Sequence, residues 1–385
     1  MTETAMADWV TEPASRGVHH GKPRGAVRTL READLAQIAR LHERCFRRSI
    51  HKNRATLEYR IHKVFREHPW HHTGIESLVW DDGTGRVLGF AGLLARPMRF
   101  RGKPILAALS CQVMVDPEAR GQGIAEALLR ASTTGPQAIT YSDILNPSAA
   151  TIWRRIGGSE IPQMTLQWIR PLRPFRWLAA QLGQERRHAW AMRLARPVLS
   201  VLDAVVRASP SSPYSMPMPE GRIMRPLSSS NHLKQLATLQ NRYELVPCYD
   251  EQSLTWLLAL LEQGLQRGCR LEGMEVVDSH GEAIGFFLMV TQPGATATVL
   301  QIGAAAGEQE AVLTAITQRA DESRCAIIRG RLQPEYLPTL AKWPNALGQG
   351  DPSVMAISQD PEMIECIRQG RAWMTHLEGE WCIGS

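Results

Sequence analysis

The sequence predicts a mixed α/β fold arranged as two successive domains. Three observations predict it. β-rich runs alternate with stretches whose apolar residues recur at helical spacing. A strand-to-helix junction at residues 113–125 carries two glycines in a tight loop. After a stretch rich in Pro, Ser and Met at 209–221, the same order of elements begins again. The 385 residues agree with two domains, because a single core usually serves about 100–200 residues.

Residues 1–25 are polar and aperiodic and read as a mobile tail. Residues 27–30 then form a short strand. Residues 32–46 form a helix, with Leu35, Ile38 and Leu41 on one face, and a second helix is expected at 54–65. Three β-rich runs follow at 77–80, 87–96 and 106–115, the first two parted by the turn Asp81-Asp82-Gly83-Thr84-Gly85. The Gly-bearing loop at 120–123 leads into a helix at 124–131. A strand at 138–142, a helix at 148–156 and a closing strand at 164–169 complete the first domain.

Residues 174–208 mix Trp177, Leu178, Leu182, Trp190, Met192, Leu194 and Val198 with many arginines. Two readings stand: an amphipathic helix resting on an anionic membrane surface, or a helical connector packed between domains. Pro197, which interrupts the pattern, favours the connector. In the second half, strands are expected at 222–226, 273–278, 283–291, 298–302 and 326–330. Helices are expected at 230–243, 253–265, 309–323 and 334–342, and residues 374–381 would close the sheet. The chain thus divides into a tail at 1–25, a first domain at 26–172, a helical connector and linker at 173–221, and a second domain at 222–385.

Composition narrows the function. Charged residues make up 21% and hydrophobic ones 44%, which is ordinary for a folded globular chain. A net charge of +6 suits an anionic ligand, but no Lys/Arg stripe with interleaved aromatics argues for nucleic acid. The 7 cysteines include no C-x-x-C pair, which speaks for a reducing compartment and against zinc or a disulfide framework. With no signal pattern and no membrane-length apolar run, a cytoplasmic protein is expected.

The junction Val113-Met114-Val115-Asp116-Pro117-Glu118-Ala119-Arg120-Gly121-Gln122-Gly123-Ile124-Ala125 carries the clearest chemistry. Pro117 has no N–H and stops the strand. Gly121 and Gly123 let the backbone turn tightly. A helix then opens with unpaired N–H groups and the positive end of its dipole exposed. Strand, Gly loop and helix start make an anion cradle suited to a pyrophosphate, to which Arg120 adds a charge-assisted contact. The string is neither a P-loop nor G-x-G-x-x-G, so ATP and NAD are poor candidates.

These residues resemble the coenzyme A motif [QR]-x-x-G-x-[GA] of the GNAT N-acetyltransferase superfamily, matched by Arg120, Gly123 and Ala125. The preceding V-x-V-x-P is also typical of it. Asn146-Pro147-Ser148-Ala149, with Trp153 and Gly157, resembles the family's N-x-x-[AS]-x-x-x-Y-x-x-x-G. The resemblance implies a mixed sheet flanked by helices and an acyl-CoA co-substrate without a metal. It implies that the backbone at Val113 and Val115 pairs with the pantetheine arm like an added strand. The loop Arg120, Gly121, Gln122, Gly123, Ile124 and Ala125 would hold the pyrophosphate, Asn146 would reach the pantetheine, and an N–H near Met114 would bind the developing oxyanion.

The catalytic groups are less legible. Many relatives protonate the departing thiolate with a Tyr where this chain has Trp153, whose indole is no acid at neutral pH. Tyr141 on the neighbouring strand is the substitute candidate, set against an ordinary half-buried strand aromatic. Relatives often place a Glu on the donor strand, but Ser110, Cys111 and Gln112 stand there. Asp143 is the candidate base, with a capping or solvated carboxylate as the alternative. His51, His71 and His72 are suited to base work, although surface histidine is the prevailing reading. Cys111 reads as a buried small hydrophobe rather than a nucleophile.

In the second half, Gly303-Ala304-Ala305-Ala306-Gly307-Glu308-Gln309-Glu310 has no Arg at the motif position, and it has two glutamates that would repel phosphate. A degenerate GNAT-like domain without cofactor is expected there. Its aromatics Tyr243, Tyr249, Trp256 and Trp343 would wall an acceptor pocket or simply pack a core. The function implied is acyl-CoA-dependent N-acyltransfer, acetyl being the simplest group, to the amine of a small molecule or amino sugar. Leu145-Asn146-Pro147 and the run 166–172 resemble GNAT proteins associated with bacterial polysaccharide clusters, which leans towards a sugar-linked acceptor. A non-catalytic acyl-CoA sensor and a polysaccharide- or lipid-modifying transferase in peripheral contact with a membrane are the alternatives.

Overall fold

The computed structural model describes residues 25–46, 54–182, 189–209, 212, 214, 223–349 and 353–383. The expected tail, His51 and most of the Pro/Ser-rich linker lie outside the described residues. Two compact units emerge, and they are not successive stretches of chain. The first combines Met1–Thr165 with Gln240–Gly264 and Asp351–Ser385, and the second combines Leu166–Leu239 with Leu265–Gly350. Each is a mixed sheet with helices.

The first unit contains β1 (Ala26–Thr29), β2 (Leu78–Asp81), β3 (Val87–Phe100), β4 (Lys103–Val115), β5 (Ile139–Leu145), β6 (Ser159–Glu160), β9 (Leu245–Pro247) and β15 (Ser353–Ser358). Their order is β1-β2-β3-β4-β5-β15-β6, with β9 also on β3. Helices α1 (Leu35–Cys45), α2 (Arg54–Phe65), α3 (Ile124–Ser132), α4 (Pro147–Arg155), α8 (Glu251–Gly264) and α11 (Pro361–Arg368) belong to this unit. The spacing of Leu35, Ile38, Ala39 and Leu41 buries one face of α1. Ile124 and Leu128 do the same for α3 by packing with Trp80, Ala91 and Ala119.

The second unit contains β7 (Leu166–Pro171), β8 (Ile223–Pro226), β10 (Arg270–Val277), β11 (Ala283–Thr291), β12 (Thr296–Ala304), β13 (Ile327–Arg331) and β14 (Ala346–Gln349). Their order is β14-β7-β13-β12-β11-β10-β8. Its helices are α5 (Pro174–Leu182), α6 (Ala189–Ala208), α7 (Ser229–Leu239), α9 (Gln309–Glu322) and the single turn α10 (Leu337–Leu340). The helical pattern of 174–208 is thus realised as two helices, and α6 runs through Pro197. The core is built from Phe287, Met289, Val299, Val312, Ile316 and Ile328, with Trp168 against them.

The element order of the two halves largely follows the expectation, but the ends of the sheets do not. Residues 164–169 were expected to close the first sheet. Instead β7 enters the second sheet, where Ile169 pairs Arg329 on one side and Ala346 on the other. The first sheet is completed by β15 from the far end of the chain, with Ala356 opposite Tyr141. Residues 374–381, expected as a strand, form two short 3-10 turns at His376–Glu378 and Glu380–Cys382. Alternation of apolar residues marks a strand but not its partner, since any sheet with a free edge satisfies the same pattern.

Candidate active site

The candidate site lies where β4 and β5 part. They pair in parallel only at Ala107↔Ile139, Ala108↔Thr140 and Leu109↔Tyr141. Beyond that point β4 is bent by a bulge. Phe90 opposes Met114 while Gly92 opposes Cys111, so β4 has an extra residue there, and Gln112 takes up φ +49. A bulge re-aims a strand and ends its pairing. Residues 113–115 therefore continue beside β3 but without a partner strand on the β5 side, among the described residues. This is the geometry that an extended pantetheine arm would complete.

At the end of β4, Asp116 accepts the N–H of Glu118 at 3.0 Å and an ion pair from Arg44 at 2.6 Å. It holds the turn that delivers the Gly loop. Gly121 and Gly123 sit at φ +81 and +84, and a Cβ on either would meet nothing within 4 Å. The glycines serve the backbone conformation and leave the surface open. Gly123 is the N-cap of α3, so the first N–H groups of that helix face the exposed loop. Arg120 is exposed and Ile124 buried, which anchors the helix while the loop stays accessible. Residues Arg120 to Ala125 therefore form one local turn-and-helix unit. Asn146 uses its Oδ1 to accept the N–H of Ala149 at 2.8 Å, capping α4.

The predicted catalytic residues are brought to the same place, with partners the sequence did not reveal. The Tyr141 hydroxyl donates to the carbonyl of Glu378 at 2.7 Å, and burial holds its pKa well above the ordinary phenol value. An Asp143 carboxylate oxygen accepts the N–H of Glu380 at 2.8 Å. Gly379 lies so close that a Cβ there would stand 1.7 Å from the other Asp143 oxygen. Glu380 itself accepts the N–H of Gln112 at 3.1 Å. The segment 376–383 thus spans the fork, bonded to the β4 bulge on one side and to β5 on the other. Glu380 is 6% exposed. Its carboxyl is pushed up to about 8, by burial first and then by the charge of Asp143, while the Gln112 N–H opposes the rise.

Glu380 is the functional candidate that sequence reasoning missed. The sequence places no carboxylate on the donor strand at Ser110, Cys111 or Gln112. One is present there in space, supplied from the end of the chain. The only sequence signal was the density of acids in His376-Leu377-Glu378-Gly379-Glu380, which was read as strand.

Other candidates move away from chemistry. His72 Nδ1 accepts the N–H of Gly74, and His71 lies 3.9 Å from Glu76 on the surface. Trp153 is fully buried and packs with Leu129, Leu145, Ala150 and Met355, a core residue rather than a proton donor. Burial raises the Cys111 thiol well above its usual pKa, and the nearby Glu380 adds to the rise, so no thiolate forms at neutral pH. Tyr249 and Trp256 belong to the first unit, where they meet Trp70 edge-on at 6.2 and 5.9 Å. The buried Arg96 lies 4.2 Å over the Trp70 ring, and Tyr249 donates to Glu378. Trp343 instead stacks under Arg170 in the second unit, and Tyr243 lies beside Arg242. In the second unit, Gly307 has φ +86 and precedes α9, where Glu308 and Glu310 stand at the helix start. No group of three or more His, Cys, Asp or Glu is placed to hold a metal among the described residues.

Residues 26–159 match the family model described as an acetyltransferase (GNAT) domain. No curated protein matches the chain. Among solved structures, a GCN5-related N-acetyltransferase from Anabaena variabilis is similar over 88% of this chain and 74% of its own, with TM-score 0.57 and 13% identity. One from Kribbella flavida gives TM-score 0.54 at 13% identity, over 89% of this chain and 73% of its own. A protein of unknown function from Enterococcus faecalis, described as a probable N-acyltransferase, gives 0.55 at 12%, over 87% and 72%. At such identities the likeness speaks for the fold over most of the chain, while the family model speaks for residues 26–159. Residues 26–159, which contain the forked strands and the glycine loop, thus match a GNAT acetyltransferase domain.

Proposed function

We propose that this chain is an N-acyltransferase that takes an acyl group from acyl-CoA, acetyl being the simplest, and passes it to the amine of a small molecule or amino sugar. The observation that carries the reading is the fork between β4 and β5, with the Gly121/Gly123 loop at its mouth and Glu380 at its root. The residues fit the co-substrate. The β4 edge at Val113 and Val115 would pair with its extended arm, the start of α3 with Arg120 would take its pyrophosphate, and the amide of Asn146 left beyond its cap would face the arm.

Bound acyl-CoA supplies an activated carbonyl carbon and a thiol leaving group. The amine nitrogen forms its bond to that carbon as the carbon–sulfur bond breaks. The proton lost by nitrogen goes to the Glu380 carboxylate, and the departing sulfur takes one from solvent. A carboxyl whose pKa lies near 8 is a far stronger base than an ordinary one. Asp143 acts as a positioning residue, holding the Glu380 backbone and raising its basicity by charge. Tyr141 anchors the same segment through Glu378. The backbone at Met114 would receive the developing charge on the carbonyl oxygen. The second unit, with acids in place of the motif arginine, would bind no second co-substrate.

The test is calorimetric titration of acetyl-CoA and longer acyl-CoAs, followed by thiol release with a panel of amines and amino sugars. Micromolar binding with amine-dependent thiol release supports the reading. Binding without turnover for any amine would make the chain an acyl-CoA sensor, and no binding would remove the donor site altogether.

A further inference from the structure

The first unit buries a cation that its own acids do not pair. Arg96, on β3, is 3% exposed. Its Nη2 donates to the Cys382 thiol at 3.5 Å, and its guanidinium lies 4.2 Å over the Trp70 ring. Neither neighbour neutralises the charge, because burial pushes the Cys382 thiol up to about 12. Arg96 enters no ion pair among the described residues, and its Nε and Nη1 are buried without a hydrogen-bond partner. Glu378, the acid of the same cluster, already accepts the N–H and hydroxyl of Thr375 and the hydroxyl of Tyr249. A buried charge with two unpartnered nitrogens is costly unless something pairs it, so the arrangement points to an anion.

The surroundings say which kind. His68 is 5% exposed, its Nδ1 has no partner, and burial, then the Arg96 charge, push its pKa down to about 3. It is therefore neutral, and Arg96 is the cation of the pair. One guanidinium balances one negative charge. A phosphate dianion would leave a second charge buried beside Glu378, whereas a carboxylate leaves none. Trp70 meets Trp256 and Tyr249 edge-on, and both of these are half-buried. The aromatic group thus reaches from the arginine towards the surface and offers flat faces to the rest of a small molecule. Arg96 is also bonded to Cys382, two residues beyond Glu380 in the segment that spans the fork.

We infer that Arg96 receives the carboxylate of the acceptor, so that the amine acylated by this chain belongs to a carboxylated small molecule, an amino acid or an amino-uronic acid. That this molecule is the acceptor rests on the acyl-transfer reading; the carboxylate site itself does not.

The test is calorimetric titration of the full chain with two matched pairs of amines: phenylalanine against phenylalaninamide, and 2-amino-2-deoxyglucuronate against glucosamine. In one pair the carboxylated member should bind about ten- to a hundredfold more tightly, and which pair shows it identifies the source. Arg96→Met should abolish that preference, leave binding of the neutral member unchanged and melt at or above the wild-type temperature, since an unpaired buried charge is removed. Equal or absent binding of both members in both pairs would overturn the inference, as would a preference kept by folded Arg96→Met. A sharp fall in the melting temperature of the variant would show the charge to be balanced within the fold, and would overturn it as well. Thiol release from acetyl-CoA separates this inference from the reading beneath it. Preferential binding without release would support the carboxylate site and remove acyl transfer, while equal release with both members of each pair would keep acyl transfer and remove the carboxylate site.

Discussion

The backbone N–H of Gln112, on the bulge of β4, donates to the carboxylate of Glu380 from 268 residues further along the chain. That bond brings an acid to a strand which has none of its own, in surroundings that hold its pKa near 8. Replacement of Glu380 by Gln keeps the hydrogen bond and removes the base. The expected outcome is a fall in kcat of about 10²–10⁴-fold with acyl-CoA affinity nearly unchanged, measured by thiol release. Loss of affinity with an unaltered kcat would assign Glu380 to binding instead.

The same group gives a signed pH dependence. Its folded-state pKa is raised from 4.5 to about 8, so the folded protein holds this proton where the unfolded chain has released it. The stability it contributes is fully present below about pH 4.5 and is lost as pH rises through about 8. The melting temperature of the wild type should therefore decline between pH 6 and 9 more steeply than that of Glu380→Gln. Activity should move the other way, rising over the same range as the carboxylate forms. Parallel melting curves in the two proteins would contradict the assignment.

Gly123 tests the anion cradle. At φ +84 any side chain is strained, by about 1–2 kcal/mol, yet a Cβ meets open space. Gly123→Gln carries the strain alone, while Gly123→Glu adds a negative charge at the start of α3. The expected outcome is that Gln weakens acyl-CoA binding modestly and Glu weakens it at least tenfold further, read by calorimetry. Equal effects would show that no phosphate sits there.

Gly379 is required for a different reason. Its φ of −98 suits any residue, but a Cβ would stand 1.7 Å from Asp143 Oδ2. Gly379→Ala must displace the segment that carries Glu380, so a loss of about 1–3 kcal/mol in stability is expected, together with a drop in kcat. Unchanged melting and turnover would mean that the segment is not held against β5.

Trp153 separates packing from proton transfer. Trp153→Ala should cost about 3–5 kcal/mol, because the ring is fully buried. Trp153→Phe should lose far less stability and keep its pH–rate profile. A changed alkaline limb in the Phe variant would give the indole a chemical role.

What the sequence determined by itself is what neighbours along the chain decide together. Pro117, Gly121, Gly123 and the apolar spacing after Ile124 specify strand, turn and helix within one short window, so this junction was legible before any fold was known. The alternation of runs likewise set the mixed α/β class and most element positions. The tertiary structure decided which strands share a sheet and which acid reaches the fork. β7 leaves the first sheet for the second, and β15, which the sequence did not mark, takes the place beside β5, because a strand's pattern buries a face without naming a partner. Glu380 meets Gln112 through contacts spanning most of the chain, and its raised pKa arises from burial and from Asp143. Both are properties of surroundings that no local spacing encodes.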